Sequence, residues 1–171
     1  MINEKIRKAF NEQINHELFS AYLYYSMAAY LHSIGLDGMA QWMHVQVLEE
    51  MLHAQKFFDH IVERDGKVEL EAIEKPQLEW ISALEVFQAA YKHEQFISGR
   101  INDLMKLSRE ENDYASQGML QWFVDEQVEE ESSTSKIARQ LELIGETGNA
   151  LLMLDKELGA RAYKPPQATG E

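Results

Sequence analysis

Val47-Leu48-Glu49-Glu50-Met51-Leu52-His53-Ala54-Gln55-Lys56-Phe57 carries a carboxylate where its pattern calls for an apolar side chain. Met39, Met43, Val47, Ala54, Phe57 and Ile61 recur at spacings that line up on one face of an α-helix. Glu50 lies three residues after Val47 and seven before Phe57, so it shares that face, and His53 lies three further on. Burying an ionised carboxylate is very costly unless it is paired or bound to a metal. Three other acids repeat the anomaly. Glu17 stands three after Ile14 and seven before Tyr24. Glu94 stands three after Tyr91 and three before Ile97, and Glu130 seven from both Phe123 and Ile137.

Few helix breakers interrupt the chain. Its prolines are Pro76, Pro165 and Pro166. Stop and start signals predict helices over 3–32, 37–64, 82–109, 114–144 and 149–158. Asp37 is the expected N-cap of the second helix, and Asp113 that of the fourth. Ser82-Ala83-Leu84-Glu85 has the form of a capping box. Gly35, Asp65-Gly66, Gly145 and Gly159 follow helix ends, and the tail from Tyr163 to Glu171 reads as loose.

The first and second helices are joined by a short loop, as are the third and fourth, so each pair should be an antiparallel hairpin. The connection between the hairpins, about 15 residues, is long for a compact domain. Extended, it can run the length of a helix of about 28 residues, near 42 Å. The expectation is an all-α single domain over 1–171: a four-helix bundle with one long crossover, plus a short fifth helix.

Composition narrows the function. The net charge of −13 argues against binding a phosphate backbone and suits cations. No apolar run approaches the roughly 18 residues of a membrane span, and the N-terminus lacks a signal-peptide core. With no cysteine, disulfides, thiolate metal sites, iron–sulfur clusters and cysteine nucleophiles are excluded. A cytoplasmic location is the default expectation.

The acids also agree in depth. Glu17, Glu50, Glu94 and the Gln127/Glu130 pair fall within about two residues, or roughly 3 Å of rise, of their helix midpoints. They should converge in one layer of the bundle. A carboxylate-rich site with histidine and no sulfur favours iron or manganese. A carboxylate bridging two cations resolves the repulsion among four acids, and two Fe(II) ions can pass two electrons to dioxygen in one encounter.

At these residues the chain resembles a bacterial non-haem ferritin over nearly its whole length. The likeness rests on Asn11-Glu12-Gln13-Ile14-Asn15-His16-Glu17-Leu18, Glu49-Glu50-Met51-Leu52-His53-Ala54-Gln55, Tyr91-Lys92-His93-Glu94-Gln95 and Leu120–Glu131. The resemblance implies a ferroxidase centre in which Glu17, Glu50 and His53 hold a first iron, with Glu50 bridging. Glu94 and Glu130 would hold the second, with Gln127 close by and Tyr24 beside the centre. Glu49, Glu126 and Glu129, with Glu130, resemble a third, inner iron site. It further implies iron(II) and dioxygen or hydrogen peroxide as substrates, a homo-oligomeric shell of 24 subunits storing iron(III) mineral, and a fifth helix at the four-fold axis. The fourth helix carries Gln127-x-x-Glu130 and not Glu-x-x-His. That favours ferritin over bacterioferritin and rubrerythrin-like oxidoreductases, and a weaker second iron position follows.

Other signals read more plainly. Met51, next to Glu50, occupies the place of a haem-ligating methionine in bacterioferritins, yet methionine is a general gap-filler; it reads as packing, and no haem is expected. Trp122 and Tyr25 read as packing aromatics, and His16 and His93 as supporting or surface groups. His32, His44 and His60 show no usable pattern. Glu129-Glu130-Glu131 reads equally as a solvated acidic face or as an iron guide. The competing function is a di-iron oxidase or peroxidase without large-scale storage.

Overall fold

The computed structural model describes residues 1–145 and 148–163. Within them are five helices: α1 (Glu4–Ser33), α2 (Asp37–Glu63), α3 (Ala83–Glu110), α4 (Tyr114–Ile144) and α5 (Asn149–Gly159). There is no strand among the described residues. The looseness expected of the tail falls, apart from Tyr163, outside them.

Helix ends are set by local chemistry. Asn3, Ser82 and Asp113 cap α1, α3 and α4 by accepting from the backbone N–H of Lys5, Glu85 and Ser116. The Glu85 carboxylate in turn accepts from the N–H of Ile81 at 2.6 Å, one residue outside the expected capping box. Three ends share one device, a left-handed residue just past the C-cap. Gly35 (φ 79°), Asp65 (φ 55°) and Asn112 (φ 55°) occupy it. The following N–H groups of Leu36, Gly66 and Asp113 then reach back to the carbonyls of Leu31, Ile61 and Ser108. The cap of α2 differs from expectation. Leu36 holds the N-cap position without a side-chain bond, and Asp37 is already the first helical residue. Leu36 is drawn into the core by its apolar side chain, while the exposed Asp37 carboxylate meets His32 Nδ1 at 2.6 Å.

The helices form a four-helix bundle with one long crossover. α1 packs mainly on α2 and α3 mainly on α4, as hairpins should, and α1 also meets α3. Residues 64–82 run along α1 from one end towards the other. Near the start, the Lys67 carbonyl accepts from Arg7 and Asn11, and Asn11 Oδ1 accepts from the N–H of Glu69 at 2.7 Å. Further on, Ser26 Oγ donates to the Gln77 carbonyl at 2.5 Å, and Trp80 packs against Tyr30. Pro76 and Trp80 are buried, pinning the strap to the bundle.

The apolar core has two halves. One gathers Tyr24, Met27, Leu31, Met39, Met43, Phe87 and Leu141, with Leu154 and Leu158 of α5. The other gathers Ile6, Phe10, Ile14, Phe57, Ile61, Ile101, Leu120 and Phe123. The acids predicted from the helical pattern lie in the polar layer between them.

α5 crosses the start of α2 at a glycine pair. A Cβ on Gly38 would fall 1.8 Å from the Asp155 carbonyl oxygen, and one on Gly159 would fall 2.9 Å from Gly38 Cα. Asp155 Oδ1 also accepts from the N–H of Met39 at 2.8 Å. Gly38→Ala is therefore expected to undock α5, at a cost on the order of 1–3 kcal/mol. Hydrogen exchange is the check: amides of α5 should lose protection while those of α1, α3 and α4 keep it.

Candidate metal centre

Glu17, Tyr24, Glu50, His53, Glu94, Gln127 and Glu130 are all buried. They come from four helices, one turn or two apart on each inward face. Glu17, Glu50 and His53 each aim a ligand atom into a common space, with those atoms within 4.8 Å of one another. His53 Nδ1 is 3.3 Å from Glu50 Oε2. His53, Glu126 and Glu130 form a second such group. The ring of His53 is seated by Phe123 and Trp122, at centroid distances of 5.6 and 5.5 Å.

Glu94 belongs to neither group of three. Tyr24 Oη donates to its Oε1, and Gln127 Nε2 donates to its Oε2 at 3.1 Å and to its carbonyl at 3.2 Å. Gln127 thus reaches Glu94 through its amide nitrogen, leaving its oxygen free to act as a ligand. Glu130 Oε2 accepts from Gln46 Nε2 at 2.8 Å, and Glu17 Oε1 accepts from Gln13 Nε2 at 2.9 Å. Glu17 Oε2 is buried with no hydrogen-bond partner. An orphaned carboxylate oxygen beside Glu50 and His53 is the feature a bound cation would satisfy. Oxygen donors with a single imidazole and no sulfur suit iron.

The acids outside the centre separate. Glu126 joins His53 and Glu130, whereas Glu129 is exposed and lies in neither group. Glu49 is partly buried and its Oε2 accepts from Arg161 at 2.7 Å. The third-site acids therefore stand as two half-buried residues and one solvent-facing one. Trp122 lies under the Lys56 ammonium, 4.1 Å from the ring centre, and Tyr25 is exposed against His44. Met51 is about half exposed on α2 (49%). His93 Nε2 is 2.7 Å from Ser20 Oγ, and burial, with His16 nearby, holds its pKa down to about 4.

Gln13, Gln46 and Arg161 join the site without having stood out in the sequence. Gln13 and Gln46 each precede an acid by four residues, on the same helical face. That spacing is their one sequence signal. Arg161, beyond the last helix, has none.

Burial dominates the electrostatics. It pushes the Glu17 carboxyl up to about 8, with the neighbouring Glu50 charge acting in the same sense. Glu130 is pushed up to about 8 by burial and by the charges of Glu94 and Glu49. Burial also raises Glu50, reinforced by Glu94 and Glu130, and it raises Glu94 against the pull of the Tyr24 and Gln127 hydrogen bonds. A cation binding among these four carboxyls would have to displace the protons that burial favours on them.

A helix bundle whose mid-plane collects carboxylates and an imidazole belongs to the carboxylate-rich metalloprotein class. Residues 7–144 match the ferritin-like domain, and the chain belongs to the ferritin family. It is 38% identical over 163 residues to a bacterial non-haem ferritin of Staphylococcus aureus, spanning 95% of this chain and 98% of that one. Identity to a probable bacterial non-haem ferritin-like protein of Haemophilus influenzae is 39% over 164 residues, covering 96% of this chain and 99% of that one. The fold is similar to the open-pore ferritin of the hyperthermophilic archaeon Archaeoglobus fulgidus, with a TM-score of 0.93 and 51% identity over 95% of this chain and all of that one. An engineered closed form of the Archaeoglobus ferritin gives a TM-score of 0.94 at 50% identity, over 96% of this chain and 100% of that one.

The raised carboxyls set a pH dependence for the metal-free protein. Glu17 stays protonated in the fold up to about 8 but ionises near its ordinary 4.5 once unfolded. Between these values the unfolded chain binds fewer protons, so stability falls as pH rises. In chelator-treated protein the unfolding temperature should drop between pH 5 and pH 8.5. Glu17→Gln should flatten that decline, and a parallel decline in the variant would contradict the assignment.

Proposed function

We propose that this protein oxidises iron(II) at the buried centre and stores the product as iron(III) mineral inside a shell of 24 subunits. The observation that carries the reading is the unpartnered Glu17 oxygen facing Glu50 and His53, inside a layer of acids that cannot all ionise without cations. Family membership supports it, and so do the non-haem ferritin names of the relatives.

Iron is substrate here. Glu17, Glu50 and His53 take the first iron(II), and in this reading Glu50 shares its carboxylate with a second. Glu94 and Glu130 take the second, with the Gln127 oxygen close by. Each iron(II) gives up one electron. Dioxygen accepts both and, with two protons, becomes hydrogen peroxide; with peroxide as oxidant, the same two electrons and two protons yield two waters. The carboxyl protons released on loading are available at the site for either step. Tyr24 holds Glu94 through its hydroxyl and so fixes the second position.

The second position is the looser one. It has no histidine of its own, and Glu94 and Glu130 already accept hydrogen bonds from Tyr24, Gln127 and Gln46. A site that binds less firmly releases its product more readily, and this favours storage over a closed oxidase cycle. Half-buried Glu126, beside His53 and Glu130, supports an exit on that side.

Aerobic iron(II) addition, followed by absorbance and an oxygen electrode on size-fractionated protein, tests the reading. Rapid oxidation by a particle of several hundred kilodaltons is the expected result. A small species that oxidises two irons per chain and stops would defeat the storage claim. Removing outer partners of metal ligands costs about 10–100-fold in affinity or activity. Tyr24→Phe should slow the first turnover by about tenfold, within that range, and Glu50→Ala by more than the range's upper end.

A further inference from the structure

The segment after α5 returns to the centre. Arg161 lies two residues beyond Gly159, and the Gly38–Gly159 crossing and the Asp155–Met39 bond anchor the helix before it. Its guanidinium donates to Gln46 Oε1, to Glu49 Oε2 at 2.7 Å and to the Trp42 carbonyl at 3.4 Å. It also stacks on Trp42, 4.5 Å from the ring centre. Four contacts hold one positive charge against α2.

Two consequences follow. Because Gln46 Oε1 accepts from Arg161, the Gln46 amide nitrogen must face the other way, where it donates to Glu130 Oε2. Arg161 therefore sets which end of Gln46 meets a metal-site carboxylate. In addition, one Glu49 oxygen is already neutralised. The same guanidinium therefore spans Glu49 directly and Glu130 through Gln46, which sets its charge at the edge of the His53–Glu126–Glu130 group.

The geometry points to Arg161 as a resident cation that occupies the Glu49 edge of the centre and must be displaced when a metal ion binds there. The inference rests on the oxidation-site reading and adds the control of its outlet. A guanidinium does not lose its proton, so its charge leaves only by movement of the side chain. That side chain is about a quarter exposed (25%), which leaves it a path outward. When it moves, Gln46 loses the partner that fixes its amide oxygen, and its hold on Glu130 loosens. Metal at the Glu49 edge and ligand arrangement at Glu130 are thereby linked. Competition from Arg161 keeps the outer position weak, so a metal arriving from the centre is passed on and not retained.

The test is calorimetric titration of the assembled, full-length, metal-free protein with zinc ions, which are redox-inert. Arg161→Gln should tighten the weakest class of zinc sites by about tenfold, while Arg161→Lys stays within about threefold of wild type. The gain should vanish in an Arg161→Gln/Glu49→Gln double variant, since no carboxylate remains to be freed. A residue that only packs the C-terminal segment would weaken or leave unchanged the zinc sites and would not show this coupling. Unchanged weak sites in Arg161→Gln, with the tight site intact, overturn the role of Arg161 alone. Absence of any tight zinc site in wild type that Glu17→Gln and His53→Ala abolish overturns the oxidation centre and this inference with it.

Discussion

Carboxylates do not enter a helix bundle unless something positive meets them there. That constraint organises this molecule. Glu17, Glu50, Glu94 and Glu130, one from each of four helices, occupy a single level between the two apolar halves of the core, and each is buried. Without metal, the layer survives by keeping protons and by recruiting amides: Gln13 on Glu17, Gln46 on Glu130, Gln127 on Glu94. These neutral donors stabilise a carboxyl group in either protonation state, so they hold the ligands in place while charge is added and removed. The remaining orphan, Glu17 Oε2, marks where this compensation stops.

Much of this layer is legible in the amino-acid sequence. Helical periodicity puts the acids on apolar stripes, and stop signals put them at matching depth, because both depend only on local geometry. The crossover is legible from its length, and its path along α1 follows from fixed chain dimensions. Fine positioning is not legible in the same way. Asp37 has the residue type of a cap, but the core demand of Leu36 shifts the helix start by one residue. Glu129 adjoins buried Glu130, and one helical step of about 100° leaves it exposed while Glu130 faces the core, a difference that residue type alone does not tell.

The partners of the acids are the least legible part. Gln13 and Gln46 stand four residues before Glu17 and Glu50, and the face argument that picks out the acids applies to them equally. A neutral amide on an apolar stripe is a far smaller anomaly than a charge, so the pattern does not single it out. Arg161 lies beyond any such argument. Its position depends on how α5 folds back over α2, a tertiary event set by two glycines far apart in sequence.

The division of the core into two apolar halves has a further meaning. In a bundle with a uniform core, a helix can slide by a turn and still bury leucines against leucines. Here a one-turn slip of any helix, about 5.4 Å, would carry its acid out of the polar layer and into hydrocarbon. The polar layer therefore acts as a key that locks four helices into one register, much as a single buried polar residue fixes alignment in a coiled coil. The same residues that make the interior costly to assemble leave the chain only one way to assemble it.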